Sequence, residues 1–291
     1  MIDGILVPTD GSDEATAALE HAIELAADVG ATVHVLFVVD EDAAVSTGED
    51  AEILAEIERQ GEGIVTRAGE LAAERGADAV EAIEHGDPQI EILGYADREE
   101  VDLIVMGTQG RRGLRRLLLG SVAEGVLRLS EVPVLTVRAE TGGVDSYPYG
   151  DVLVAIDGGE GAALALEEAI EWARAHGSRL HIVSVVDVRA LSYEDGAGHV
   201  YDALESGVEG LVSEAAERAR EAGVDAVSTH VAPGRVSREI TGYAQEVGAD
   251  LAIVGTHGRR GVDRVVLGSV AELVVRTADC PVLTVRRPDP E

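Results

Sequence analysis

The chain repeats itself at the scale of a whole domain, and no other feature restricts its fold as much. Asp3–Gly11 (DGILVPTDG) returns as Asp151–Gly158 (DVLVAIDG), and Val33–Asp40 (VHVLFVVD) as Leu180–Asp187 (LHIVSVVD). Val101–Gly113 (VDLIVMGTQGRRG) returns as Ala249–Gly261 (ADLAIVGTHGRRG), and Val132–Arg138 (VPVLTVR) as Cys280–Arg286 (CPVLTVR). From Asp10 to Asp157 the offset is 147 positions, and from Gly107 to Gly255 it is 148, so one residue entered between them. A period of that size means duplicated domains rather than a solenoid. The joint lies in Ala139–Gly150, rich in Gly, Pro and polar residues as linkers are. Domains are expected at 1–140 and 150–288, with 141–149 as linker.

Each copy reads as strand and helix in alternation, beginning and ending on a strand. In the first copy the strands are expected at Gly4–Pro8, Thr32–Val39, Ala79–Glu84, Leu103–Met106 and Val134–Val137. Between them helices are expected after Ser12, a natural cap, then over Asp50–Arg75, Pro88–Arg98 and Val122–Leu129. Ala15, Ala18, Leu19, Ala22, Ile23 and Ala26 share one face of the first helix. The first, fourth and fifth strands are near-continuous apolar runs, the mark of parallel strands covered on both faces. Right-handed crossovers then set helices on both sides of the sheet. The fold class is α/β: two tandem doubly wound domains.

Composition removes several chemistries. All 23 basic residues are Arg, so there is no Walker A lysine, Lys Schiff base or Lys general base. A single cysteine, Cys280, excludes a disulfide framework and a Cys-rich zinc site, and a small apolar role is expected for it. No apolar run reaches the length of a membrane span, and the N-terminus lacks a signal-peptide core, so a cytoplasmic protein is expected. A net charge of −32 argues against nucleic-acid and anionic-membrane partners. Excess Asp and Glu without Lys is the composition expected of a protein kept soluble in concentrated salt, which points to a halophile.

In an open parallel sheet, ligands bind beyond the C-terminal ends of the strands, where strand order reverses. Three segments of each copy arrive there. The first strand ends in Asp10 or Asp157. The second ends in Val38-Val39-Asp40 or Val185-Val186-Asp187. The fourth runs into Gly107-x2-Gly110-x9-Gly120-Ser121, repeated as Gly255-x2-Gly258-x9-Gly268-Ser269. Glycines let a backbone turn and approach a ligand without an intervening Cβ. The start of the next helix, with free N–H groups and the Ser hydroxyl, favours an anion. The pattern is that of a phosphate cradle needing no Lys. Arg111, Arg112, Arg115, Arg116, Arg259, Arg260 and Arg264 crowd the two loops, with Asp263 the sole acid among them. They either draw a polyphosphate or form ion pairs at an interface.

With these motifs the chain resembles a tandem universal stress protein of the nucleotide-binding branch, over nearly its whole length. That resemblance implies five-stranded sheets of order 3-2-1-4-5 and binding of ATP or AMP in each domain, with Mg2+ accompanying ATP. It also implies pairing of the two copies as an internal pseudo-dimer, with a homodimer as a further step. By the same resemblance Asp10 and Asp157 stand near the nucleoside, Val38 and Val185 meet the adenine edge, and Met106 and Val254 line base or ribose. Gly107, Gly110, Gly120, Ser121 and Val122 match the phosphate segment, as do Gly255, Gly258, Gly268, Ser269 and Val270. Two departures mark the second copy: Asp10-Gly11-Ser12 becomes Asp157-Gly158-Gly159, which loses a helix cap, and Gly86-Asp87-Pro88 becomes Gly234-Arg235-Val236.

Blander readings stand beside these. An Asp before Gly at a strand end also makes a turn, and Ser121 serves as an ordinary helix cap. The histidines at 21, 34, 85, 176, 181, 199 and 230 form no metal motif and read as surface or packing residues, and His257 as an exposed loop residue. The leading expectation is a stress-response protein that senses or regulates through bound adenine nucleotide, with no catalytic or metal residues assigned. The alternatives are a slow ATPase or autophosphorylating enzyme, and an interaction protein without nucleotide. An ATP-pyrophosphatase-like enzyme is disfavoured because its S-G-G-x-D-S loop is absent.

Overall fold

The computed structural model describes residues 2–40, 50–110, 119–139, 147–187, 197–256 and 267–286. They divide into two compact units, Met1–Tyr147 and Pro148–Glu291. The first unit runs β1 (Gly4–Pro8), α1 (Asp13–Val29), β2 (Thr32–Val39), α2 (Asp50–Glu74), β3 (Asp78–His85), α3 (Pro88–Arg98), β4 (Leu103–Gly107), α4 (Ser121–Leu129) and β5 (Val134–Val137). The second runs β6 (Asp151–Ala155), α5 (Glu160–His176), β7 (Arg179–Asp187), α6 (Ala197–Glu221), β8 (Val227–Gly234), α7 (Val236–Val247), β9 (Leu251–Gly255), α8 (Ser269–Thr277) and β10 (Val282–Val285).

All strands within a unit pair in parallel. The order is β3-β2-β1-β4-β5 in the first and β8-β7-β6-β9-β10 in the second. Both match the 3-2-1-4-5 expectation. The switch point lies between β1 and β4, where Ile5 faces Leu103 and Leu6 faces Ile104, and between β6 and β9. Ile5, Leu6, Val7, Ile104 and Val105 are fully buried, as continuous apolar strands under two helix layers must be. The outermost β3 instead consists of half-buried and exposed residues, none fully buried.

Helix starts follow local chemistry. Ser12 caps α1 by accepting the Ala15 N–H at 3.2 Å, and Asp87 caps α3 by accepting from Gln89 and Ile90 at 2.8 and 3.2 Å, with Pro88 in the first turn. In the second unit Gly159 and Arg235 hold these places and make no side-chain cap. At the other end of the strands, a buried histidine of β7 is the centre of a polar trio. His181 Nε2 lies 2.8 Å from Asp151 Oδ1 on β6, and its Nδ1 lies 2.8 Å from Ser228 Oγ on β8. Both ring nitrogens are thereby satisfied, which a buried imidazole requires. The first unit has Gly4 and Val80 at the flanking positions, and His34 meets the Tyr95 hydroxyl at 3.1 Å instead.

No described helix is long and apolar enough to cross a membrane. Cys280 is buried, and burial pushes its thiol up to about 12, with Asp250 and Asp279 adding to the shift. The thiol therefore stays protonated and unreactive.

Candidate functional site

The turn after β1 is built by the Asp–Gly pair. Asp10 Oδ1 accepts the Ser12 N–H at 3.0 Å, and Asp157 Oδ1 accepts the Gly159 N–H at 2.8 Å. Gly11 and Gly158, with φ of 72° and 78°, supply the left-handed step that lets the carboxylate fold back on its own backbone. So the turn reading of these aspartates is correct as far as one carboxylate oxygen goes. The other oxygen of Asp10 reaches over the loop after β4: a Cβ on Gly110 would lie 2.6 Å from Asp10 Oδ2. Two segments about a hundred residues apart in sequence thus meet at the switch point.

The motif glycines do different jobs. Gly107 ends β4 under the first turn of α1, where a Cβ would come within 2.9–3.0 Å of Glu14 backbone and Cβ atoms. Gly255 is tighter still, with its Cβ position 2.5 Å from both the carbonyl carbon and oxygen of Gly161 in α5. These two glycines admit a helix, not a ligand. None of Gly107, Gly110, Gly120, Gly255 and Gly268 has positive φ, so the chain turns here without a left-handed step at these glycines. Left-handed backbone falls in the Asp–Gly turns instead.

Gly120 differs again. A Cβ there would touch Thr108 O, Gln109 Cα and Gly110 N only at 3.5–3.8 Å, ordinary contact distances. Its N–H is not free, because it donates to Thr108 O at 2.8 Å and closes the loop, as Gly268 does to Thr256 O at 2.8 Å. Gly120 is also the N-cap of α4, so Ser121 is the first helical residue rather than the cap, and no side chain caps this helix. Gly268 and Ser269 repeat the arrangement on α8. A helix has no internal acceptor for its first N–H groups, here those of Ser121, Val122 and Ala123, or Ser269, Val270 and Ala271. They and the dipole make an anion-favouring end.

The cluster that comes together is therefore Asp10, Gly110, Gly120 and the start of α4. Met106 and Val254 are buried in the sheet, and Val38 and Val185 are half-buried near the ends of β2 and β7. Gly258, His257 and the seven loop arginines lie outside the described residues. Among the described residues no group of three or more His, Cys, Asp or Glu side chains is placed to hold a metal ion.

The sequence model of the Universal stress protein family matches residues 1–138 and again 148–286. The chain belongs to the universal stress protein family. It is 30% identical over 295 residues to a universal stress protein of Mycobacterium bovis, covering 98% of this chain and 97% of that one. One domain's length, 137 residues, is 38% identical to a universal stress protein of Methanocaldococcus jannaschii, covering 46% of this chain and 81% of the relative. The crystal structure of a universal stress protein from Archaeoglobus fulgidus superposes with a TM-score of 0.72 at 27% identity, covering 99% of this chain and 98% of that one. Family membership and tandem architecture thus rest on full-length matches.

Proposed function

We propose that each domain holds an adenine nucleotide, ATP or AMP, and that the chain acts in a stress response as sensor or regulator with little or no turnover. The observation that carries this reading is the uncapped start of α4. No side chain caps its first N–H groups, and at Gly120, whose own N–H closes the turn, a Cβ would have backbone atoms as its nearest described neighbours, at 3.5–3.8 Å. In this reading Asp10 and Val38 meet the nucleoside, Met106 walls the base, and Gly110, Gly120, Ser121 and Val122 hold phosphate. Asp157, Val185, Val254, Gly258, Gly268, Ser269 and Val270 serve likewise in the second domain, while Gly107 and Gly255 act by seating α1 and α5. Mg2+ would travel with ATP, on the phosphates. Pairing of the copies as an internal pseudo-dimer, and further as a homodimer, belongs to the same reading.

Isothermal titration with ATP and Mg2+, and with AMP, tests it. Gly120→Val is expected to weaken binding in the first domain at least tenfold, about 1.4 kcal/mol. Its Cβ fits, but its methyls enter the space in front of the helix. Folding should be unchanged by circular dichroism. Wild-type protein that is folded yet gives no binding heat with either nucleotide refutes the reading.

The charge of −32 on a chain without Lys supports a second part of the proposal, a cellular interior rich in salt. Screening then relaxes self-repulsion among the carboxylates. The melting temperature should rise from low salt to molar KCl, and a flat response removes the halophile reading.

A further inference from the structure

A cleft of about 520 Å³ opens between α1 and α2 of the first unit, from the β1 turn at Thr9 and Gly11 to Leu71. None of the proposed nucleotide residues lines it. Its wall on α2 carries Arg59, Gly63 and Arg67, four residues apart and hence in one row along the helix. Gly63 leaves room beside the Arg67 guanidinium: among the described residues, the one neighbour a Cβ there would meet is Arg67 Nη1, at 3.4 Å. Arg59 pairs with Glu56, whereas Arg67 makes no ion pair among the described residues. Thr9 Oγ1 accepts the Gly11 N–H at 3.2 Å, which leaves its own hydrogen to donate. Leu19, Ile64, Ala68 and Leu71 supply the apolar part of the wall. On a chain with 55 acidic residues, the described lining contains none.

The duplication provides an internal comparison. The second unit has the same cleft between α5 and α6, of about 280 Å³. Ile156 replaces Thr9, Ala163 replaces Thr16, and Glu214 replaces Arg67. Ser206 and Gly207 stand where Arg59 and Gln60 do. Among its described lining residues the one cation, Arg218, is paired with Glu167. The shared fold therefore requires neither the charge nor the hydroxyls of the first cleft.

We infer that the α1–α2 cleft of the first domain is a separate binding site for a small phosphorylated molecule with an apolar body, and that the second domain lacks this site. Two guanidinium groups fork onto phosphate oxygens, and the apolar wall takes the body. The inference does not rest on the nucleotide reading, and the two fail separately.

The test follows backbone amide shifts of the full-length, 15N-labelled chain during titration with phenyl phosphate at constant ionic strength, alongside a titration with ATP. Saturable shifts at Gly11, Gly63 and Ile64 are expected with phenyl phosphate. Arg67→Glu, which installs the second domain's residue at an exposed position, should weaken that binding at least tenfold, and Arg67→Gln by less. Gly120→Val should leave it unchanged while removing the ATP shifts at Ser121–Ala123. Shifts confined to Ser121–Ala123, no saturable shift around Gly63, or binding indifferent to Arg67→Glu each overturn the assignment. ATP shifts at Ser121–Ala123 would stand regardless.

Discussion

Gly255→Ala should destabilise the second domain by about 3 kcal/mol or more, at the upper end of what overpacking costs. The added Cβ would sit 2.5 Å from the Gly161 carbonyl carbon and oxygen and 3.0 Å from the Ala162 nitrogen. These are backbone atoms in the first turn of α5, so no side chain can rotate away and the helix must lift off β9. The equivalent Gly107→Ala meets Glu14 at 2.9–3.0 Å, which predicts a smaller cost of about 2 kcal/mol. Gly242→Ala in α7, with nothing within 4 Å, is the control and should be neutral or stabilising. Two domains can unfold separately, so the measurement is native-state hydrogen exchange of the β6 and β9 amides rather than one global midpoint. Unchanged exchange in Gly255→Ala would show that the helix yields freely, and the packing account of this glycine would be lost.

The second large effect is a pH dependence centred on His21. This residue of α1 is completely buried, with the Tyr147 ring edge-on at 6.3 Å, and Tyr147 donates to Asp28 at 2.6 Å. Burial lowers the His21 pKa from 6.5 to about 4. The folded state therefore holds the neutral ring, while the unfolded chain takes up a proton below about pH 6.5. Stability from this group is complete above pH 6.5. It falls as the pH drops from 6.5 to 4, and it is level below that, with a total loss of about 3 kcal/mol. Acid also relaxes the repulsion among the carboxylates, so the quantity to measure is the difference between wild type and His21→Phe. That difference in urea unfolding free energy should shift by about 3 kcal/mol in favour of the variant between pH 7 and pH 4. A constant difference across the range would mean that the ring titrates as in water.

Neither effect was visible in the linear pattern, for related reasons. Gly107 and Gly255 read as members of a ligand loop, because spacing cannot tell a glycine that admits a ligand from one that admits a helix. Distances to Glu14 and Gly161 made that distinction. His21 falls beside the apolar face of the first helix and read as a surface or packing residue. Its ring partner Tyr147 arrives from beyond β5, over a hundred residues later. The asymmetry of the two α1–α2 clefts was likewise out of reach, since Thr9 and Arg67 come together only when α2 packs beside α1.

Element types, the strand limits of β1, β2 and β5, the duplication and the uncapped helix start at Gly159 were all legible in the residues. They depend on hydrophobic period, capping chemistry and self-similarity, which act over a few neighbours or between two copies of one text. The parallel order of strands needed the family likeness as well, because pairing partners are remote in sequence. Which atom of Asp10 serves the turn and which reaches Gly110, and whether the Gly120 N–H is free or spent on Thr108, the tertiary structure alone decided. A hydrogen bond has a direction and a reach of about 3 Å. Those follow from where the backbone runs once the sheet has closed over its core, and residue order by itself does not carry them.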